Sequence, residues 1–331
     1  MIGLAEFPYR RARRTRSTQW IRDLTAESNL SISDLIWPIF IMEGENSSEN
    51  IDSLPGVSRL SIDLAIEKSK QLFDKGLCCV ALFPYTPSQL KTPNCEEAWN
   101  PGNLVNKATR ALKSQVPGIG VMLDVALDPY NSLGHDGLVR NGEVLNDESV
   151  EALTKQALVQ AESGADILGP SDMMDGRIKS IRSALESKNF KETMILSYSA
   201  KYASSFYGPF RDAVGAAGSL KGDKKTYQIN PANLNESLRE VAADLNEGAD
   251  MVMVKPGMPY LDICRKIKDT FGVPTFAYQV SGEYAMIKAA TKNGWLDENQ
   301  VILESMLSFK RAGCDGILTY FTPQLIEILK E

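Results

Sequence analysis

Three times in this chain a helical pattern closes on a glycine and an aspartate, and a short apolar run follows at once. The segments are Ser163-Gly-Ala-Asp166, Glu247-Gly-Ala-Asp250 and Ala312-Gly-Cys-Asp315. Glycine suits the left-handed residue after a helix C-terminus, so each segment marks a helix-to-strand junction. Eight short apolar, β-branched runs recur, at 35–41, 79–84, 120–127, 166–169, 194–199, 251–255, 275–280 and 316–320. Most are continuous rather than alternating, the mark of parallel strands buried on both faces. Amphipathic patterns such as 61–75, 147–163, 235–247 and 297–311 lie between them. Eight such units in 331 residues predict an α/β fold, a (β/α)8 TIM barrel. A doubly wound open sheet is the competing architecture, but no Gly-rich phosphate-cradling turn follows an early strand. Residues 31–331 read as one barrel domain and residues 1–30 as an extended N-terminal arm.

The arm carries Arg10, Arg11, Arg13, Arg14 and Arg16 beside Phe7, Pro8 and Tyr9. A basic arm can serve nucleic acid, an organelle presequence or a neighbouring subunit. The net charge of −6 favours the subunit contact and argues against nucleic acid. No apolar run has the length of a membrane span, and no signal-peptide core opens the chain. The five cysteines (Cys78, Cys79, Cys95, Cys264 and Cys314) are odd in number, and none has zinc-site spacing. A reducing, cytoplasmic compartment is expected.

Residues at the C-terminal ends of barrel strands face the active site. Lys255 ends the run Met251-Val-Met-Val-Lys255, and Pro256 stops it. Burial there would drive the amine toward its neutral, nucleophilic form, which attacks ketones to give Schiff bases. A lysine escaping to solvent is the plain alternative. Lys201 follows the fifth run and so falls on the same face, one strand over. Asp124, Asp128, Ser171, Asp172, Tyr278, Ser281 and Tyr320 add polar groups at other strand ends, and Arg211 follows Lys201. The loops 85–103 and 214–233 exceed what a barrel needs. The glycines and lysines of the second suit a lid over an anionic ligand. The single histidine, His135, sits in a turn-like context and reads as structural.

Four segments go further: 169–177 (GPSDMMDGR), 197–212 (SYSAKYASSFYGPFRD), 253–262 (MVKPGMPYLD) and 278–286 (YQVSGEYAM). In these the chain resembles the porphobilinogen synthases, also called δ-aminolevulinic acid dehydratases, and the similarity runs from the arm to Leu325. The resemblance implies condensation of two 5-aminolevulinate molecules to porphobilinogen with loss of water, through Schiff bases on Lys201 and Lys255. Lys255 would hold the substrate that becomes the propionate side, and Lys201 the other. Arg211 and Lys224 match the cationic pair for one carboxylate, Ser281 and Tyr320 the hydroxyls for the other, and Gln228 and Tyr278 wall positions. The resemblance also implies a homo-octamer and no organic cofactor.

Metal use divides that family. Where its zinc-dependent branch has three cysteines, this chain has Ala126, Asp128 and Asp136, so no zinc is expected. The two aspartates suit Mg²⁺, loop capping or no metal equally well. Glu240 matches the family glutamate that holds an allosteric Mg²⁺. Leu133 departs from the family, standing where a histidine is expected. Two other readings stay open: a class I aldolase-type Schiff-base lyase needing one lysine, and a non-enzymatic binding barrel.

Overall fold

Asp166, Asp250 and Asp315 clasp the bottom of a closed barrel. The computed structural model describes residues 6–215, 220 and 222–330. Its barrel strands are β1 Leu35–Ile41, β2 Cys79–Pro84, β3 Gly120–Val125, β4 Ile167–Pro170, β5 Met194–Lys201, β6 Met251–Lys255, β7 Thr275–Tyr278 and β8 Gly316–Leu318. Each pairs in parallel with the next, and β8 returns to β1 through Leu35↔Ile317 and Ile36↔Leu318. The helices α1 Ile62–Phe73, α2 Leu104–Gln115, α3 Asn146–Glu162, α4 Arg177–Ser187, α5 Asn235–Glu247, α6 Leu261–Phe271, α7 Glu298–Arg311 and α8 Thr322–Ile328 alternate with the strands. The (β/α)8 barrel expected from the spacing is the fold observed.

Each aspartate does the same work, two βα units apart. Asp166 accepts Val121 N–H at the foot of β3 (2.8 Å) and pairs with Lys113 of α2 (2.8 Å). Asp250 accepts Ile195 N–H of β5 (2.7 Å) and pairs with Arg182 of α4 (2.6 Å). Asp315 accepts Thr275 N–H of β7 (2.7 Å) and pairs with Lys268 of α6 (2.7 Å). The preceding glycines 164, 248 and 313 have φ of +98°, +107° and +91°, which explains the repeat: only glycine turns there without strain.

Strand ends differ from the sequence reading by a few residues. β3 stops at Val125, so Asp128 lies in the loop beyond it. β7 and β8 stop at Tyr278 and Leu318; Ser281 opens a helix, Ser281–Lys292, and Tyr320 lies past its strand. β5 instead runs on to Lys201. A hairpin of Ser48–Asn50 and Ser58–Leu60 and a short helix, Gly208–Ala213, are additions without a clear apolar period. The arm forms a 3-10 turn, Ala12–Arg16, and a helix, Gln19–Leu24, neither with a buried residue. Gly218 and Lys221 of the long loop lie outside the described residues.

Candidate active site

Lys255 and Lys201 stand opposite each other in the β5–β6 register, both buried at the C-terminal mouth of the barrel. Their surroundings differ. The Lys255 ammonium has no hydrogen-bond or ion-pair partner among the described residues. It sits over four rings, with Nζ 4.7 Å from the centre of Tyr278, 5.0 Å from Phe210, 5.1 Å from Tyr198 and 5.6 Å from Tyr207. Burial first, and the nearby Lys201 charge second, push its pKa down to about 7 against the pull of three aspartates. An amine near neutrality at physiological pH is a competent nucleophile.

Lys201 is held by carboxylate and carbonyl instead. Its Nζ lies 2.9 Å from Asp136 Oδ1 and donates to the Ser171 carbonyl. The other Asp136 oxygen takes Lys224 at 2.7 Å and the Tyr227 hydroxyl at 2.9 Å. Burial alone would raise the Asp136 carboxyl, but Lys201 and Lys224 outweigh it and hold it below the usual carboxylate range. Lys224 also reaches Asp128 at 3.4 Å. His135 approaches the Tyr227 hydroxyl at 3.2 Å, a scaffold role consistent with its sequence context.

Asp124, on β3, was legible as a strand-end carboxylate but not as a site residue. It faces both lysines electrostatically, and burial pushes its carboxyl up to about 6 against their pull. Its Oδ1 has no hydrogen-bond partner among the described residues. A buried carboxyl that titrates near neutrality beside two amines can carry protons between them and a ligand.

The structure brings Lys201, Lys255, Arg211, Lys224 and Gln228 together with Asp128 and Asp136 around one cavity of about 30 Å³. That is room for about one water. Tyr278 and Tyr320 join hydroxyls at 2.9 Å behind Lys255. Ser281 Oγ accepts the Phe210 N–H at 2.9 Å, beside Arg211. Arg59, from the hairpin after β1, was missed by sequence reasoning. It donates to the carbonyls of Ala213 (2.7 Å) and Asp212 (2.6 Å) and stacks on Tyr85, fastening the base of the loop.

Glu240 lies apart, on α5. With Asn146, Asp175 and Glu236 it lines a second cavity, of about 310 Å³, whose wall includes Tyr227 and Gln228. Gln228 therefore borders both cavities. Burial, then Asp244, raise the Glu240 carboxyl, with Asp175 and Glu236 adding to it against Arg177. Among the described residues no three His, Cys, Asp or Glu side chains converge as a metal cage. A cation at Glu240 would therefore rely on one or two carboxylates and waters, a set that Mg²⁺ accepts.

Against known proteins, the family model for delta-aminolevulinic acid dehydratase matches residues 9–328. The delta-aminolevulinic acid dehydratase of Rhodobacter capsulatus is 58% identical over 323 residues, covering 98% of this chain and 97% of that protein. That of Bradyrhizobium diazoefficiens is 56% identical over 320 residues, covering 97% and 91%. The crystal structure of the Toxoplasma gondii enzyme in complex with its product porphobilinogen superposes with a TM-score of 0.94 at 45% identity, covering 96% of this chain and 91% of that one.

Proposed function

The chain belongs to the delta-aminolevulinic acid dehydratase family, and from that premise we propose how its residues perform the condensation. The enzyme joins two 5-aminolevulinate molecules into porphobilinogen with loss of water, a step of heme and other tetrapyrrole biosynthesis. The observation that carries the residue assignment is the register pairing of Lys201 with Lys255 in one cavity. Lys255, with its pKa near 7, attacks the ketone of the first aminolevulinate and forms a Schiff base as water leaves. The Tyr278–Tyr320 hydroxyls and Ser281 hold that substrate's carboxylate. Lys201 forms the second Schiff base after giving up its contact with Asp136, and Arg211 and Lys224 receive the second carboxylate. Gln228 walls the second site. Asp124 moves protons between the bound amines.

Holding two copies side by side makes the condensation effectively intramolecular, worth on the order of 7–11 kcal/mol in favourable cases. Trapping with borohydride in the presence of aminolevulinate, followed by peptide mapping, tests the assignment. Label on both Lys201 and Lys255 is expected; label on one alone would point to the aldolase-type chemistry.

We further propose membership of the non-zinc branch, with an allosteric Mg²⁺ at Glu240. The anionic surroundings of Glu240 and the wall its cavity shares through Gln228 support this. The bound cation would neutralise that cluster and stiffen the shared wall. Asp136 is already neutralised by Lys201 and Lys224, an arrangement that fits a second divalent ion poorly. The exposed Phe7, Tyr9, Trp20 and Leu24 of the arm support docking on a neighbouring subunit, as in a homo-octamer. Five free cysteines support a cytoplasmic setting. Among the described residues no helix is long and apolar enough to cross a membrane.

A further inference from the structure

Glu283 is a fully buried carboxylate that forms no ion pair among the described residues. It is the third residue of the helix Ser281–Lys292. Its oxygens accept three backbone N–H groups: Val280 at 2.6 Å on its own turn, and Gly257 at 3.3 Å and Met258 on the turn that leaves β6. Burial pushes its carboxyl up to about 7 while those three donors pull it down. A charge placed this way is costly unless fully hydrogen-bonded, and here two of the three bonds go to the turn that follows Lys255.

Among the described residues the Lys255 ammonium has no hydrogen bond or ion pair to hold it, so its position depends on its backbone. The next residue, Pro256, has no N–H to anchor. The Lys255 carbonyl accepts the Tyr202 N–H at 2.9 Å and the Tyr207 hydroxyl at 3.1 Å; beyond it Gly257 and Met258 carry the first N–H groups of the turn, and Glu283 accepts both. Gly257 is also closely packed: a Cβ there would meet the Phe309 ring at 2.5 Å and the Tyr278 carbonyl at 3.0 Å. On the other side Glu283 fixes Val280, between Tyr278 and Ser281.

We propose that Glu283 is a positioning residue that sets the spacing between the Lys255 amine and the hydroxyls of Ser281, Tyr278 and Tyr320, and so the length of keto acid accepted at Lys255. The inference rests on the reading of Lys255 as the Schiff-base lysine for the first substrate. In that substrate two methylenes separate ketone from carboxylate, and rigid spacing between the two protein groups rewards that length alone.

The test is borohydride trapping at Lys255, quantified by peptide mapping, with aminolevulinate and with its one-methylene-longer homologue, 6-amino-5-oxohexanoate. The native chain, Glu283→Gln and Glu283→Asp are compared, with far-UV circular dichroism on each. The native chain is expected to trap aminolevulinate at least tenfold faster than the homologue. In folded Glu283→Gln the aminolevulinate rate is expected to fall at least tenfold and the preference to shrink to within about twofold. Native rate and preference in either folded variant overturn the proposal. So does loss of trapping that appears only in step with loss of the folded dichroism signal, or a native chain that traps both acids equally. A native chain that takes no label at Lys255 instead removes the reading beneath it.

Discussion

Lys201 and Lys255 occupy matched positions on neighbouring strands, yet among the described residues only Lys201 has a carboxylate within bonding distance. The pair is thereby divided into one amine kept among rings and one kept in an ion pair. On the mechanism proposed above, this division would give the two Schiff bases an order, with Lys255 first.

Lys255→Ala is expected to abolish porphobilinogen formation. In the native enzyme the neutral fraction of an amine titrating near 7 grows about tenfold from pH 6 to pH 8, and the first-turnover rate should rise with it. Stability has a matching sign. The folded value lies below the ordinary 10.5, so the unfolded chain holds the extra proton between about 7 and 10.5. Stability from this group therefore increases with pH across that window. Rapid-quench kinetics and urea unfolding at pH 7 and 9 check both statements.

Asp136→Asn leaves Lys201 and Lys224 buried without their shared counter-charge. Breaking a buried ion cluster by removing one member costs about 3–5 kcal/mol, which urea unfolding at pH 7 should register. In the native chain this carboxyl sits below its ordinary 3.8. Its contribution is present above that pH and is lost as the pH falls below it.

Exhaustive chelation followed by add-back separates the metals. Mg²⁺ is expected to stimulate activity and Zn²⁺ to rescue little. Glu240→Ala should lose the Mg²⁺ response while retaining basal turnover. Stimulation by Zn²⁺, or an unchanged Mg²⁺ response in the variant, would count against the site.

The three aspartate clasps at the barrel floor predict a stability series. Asp166→Ala, Asp250→Ala and Asp315→Ala should each cost about 1 kcal/mol, the net worth of a partly exposed hydrogen-bonded ion pair. They sit in separate βα pairs with no shared partner, so the triple variant should lose close to the sum. Denaturant midpoints of the three singles and the triple decide it, and none should affect the amine chemistry at the opposite end.

Much of the barrel was legible because buried parallel strands leave a local trace. Continuous apolar runs and Gly-x-Asp junctions by themselves place Lys255 and Lys201 on one face. The role of Asp124 was not legible, since a strand aspartate looks the same whether its carboxyl is solvated or stranded beside two amines. Arg59 escaped for a related reason. It acts from a hairpin at carbonyls 153 and 154 positions away, and nothing local distinguishes it from a surface arginine. Glu283 looks like an ordinary first-turn helix glutamate until the turn at Gly257 is seen against it. Residue type and period report which face a side chain takes, while partners distant in the chain must be seen.

The aspartate clasps bridge only 45, 55 and 40 positions, whereas the seam that shuts the barrel joins Thr322 to Ile36 across 286. Short-range contacts form early and long-range ones late, because loop closure must come first. Assembly of this chain would thus proceed as strand pairs that knit locally and then wait. Until β8 has been synthesised, the start of β1 at Leu35 and Ile36 keeps an open edge, the kind of surface on which nascent chains aggregate. A chaperone acting on this protein would have most to do in the interval between the making of the first strand and the last.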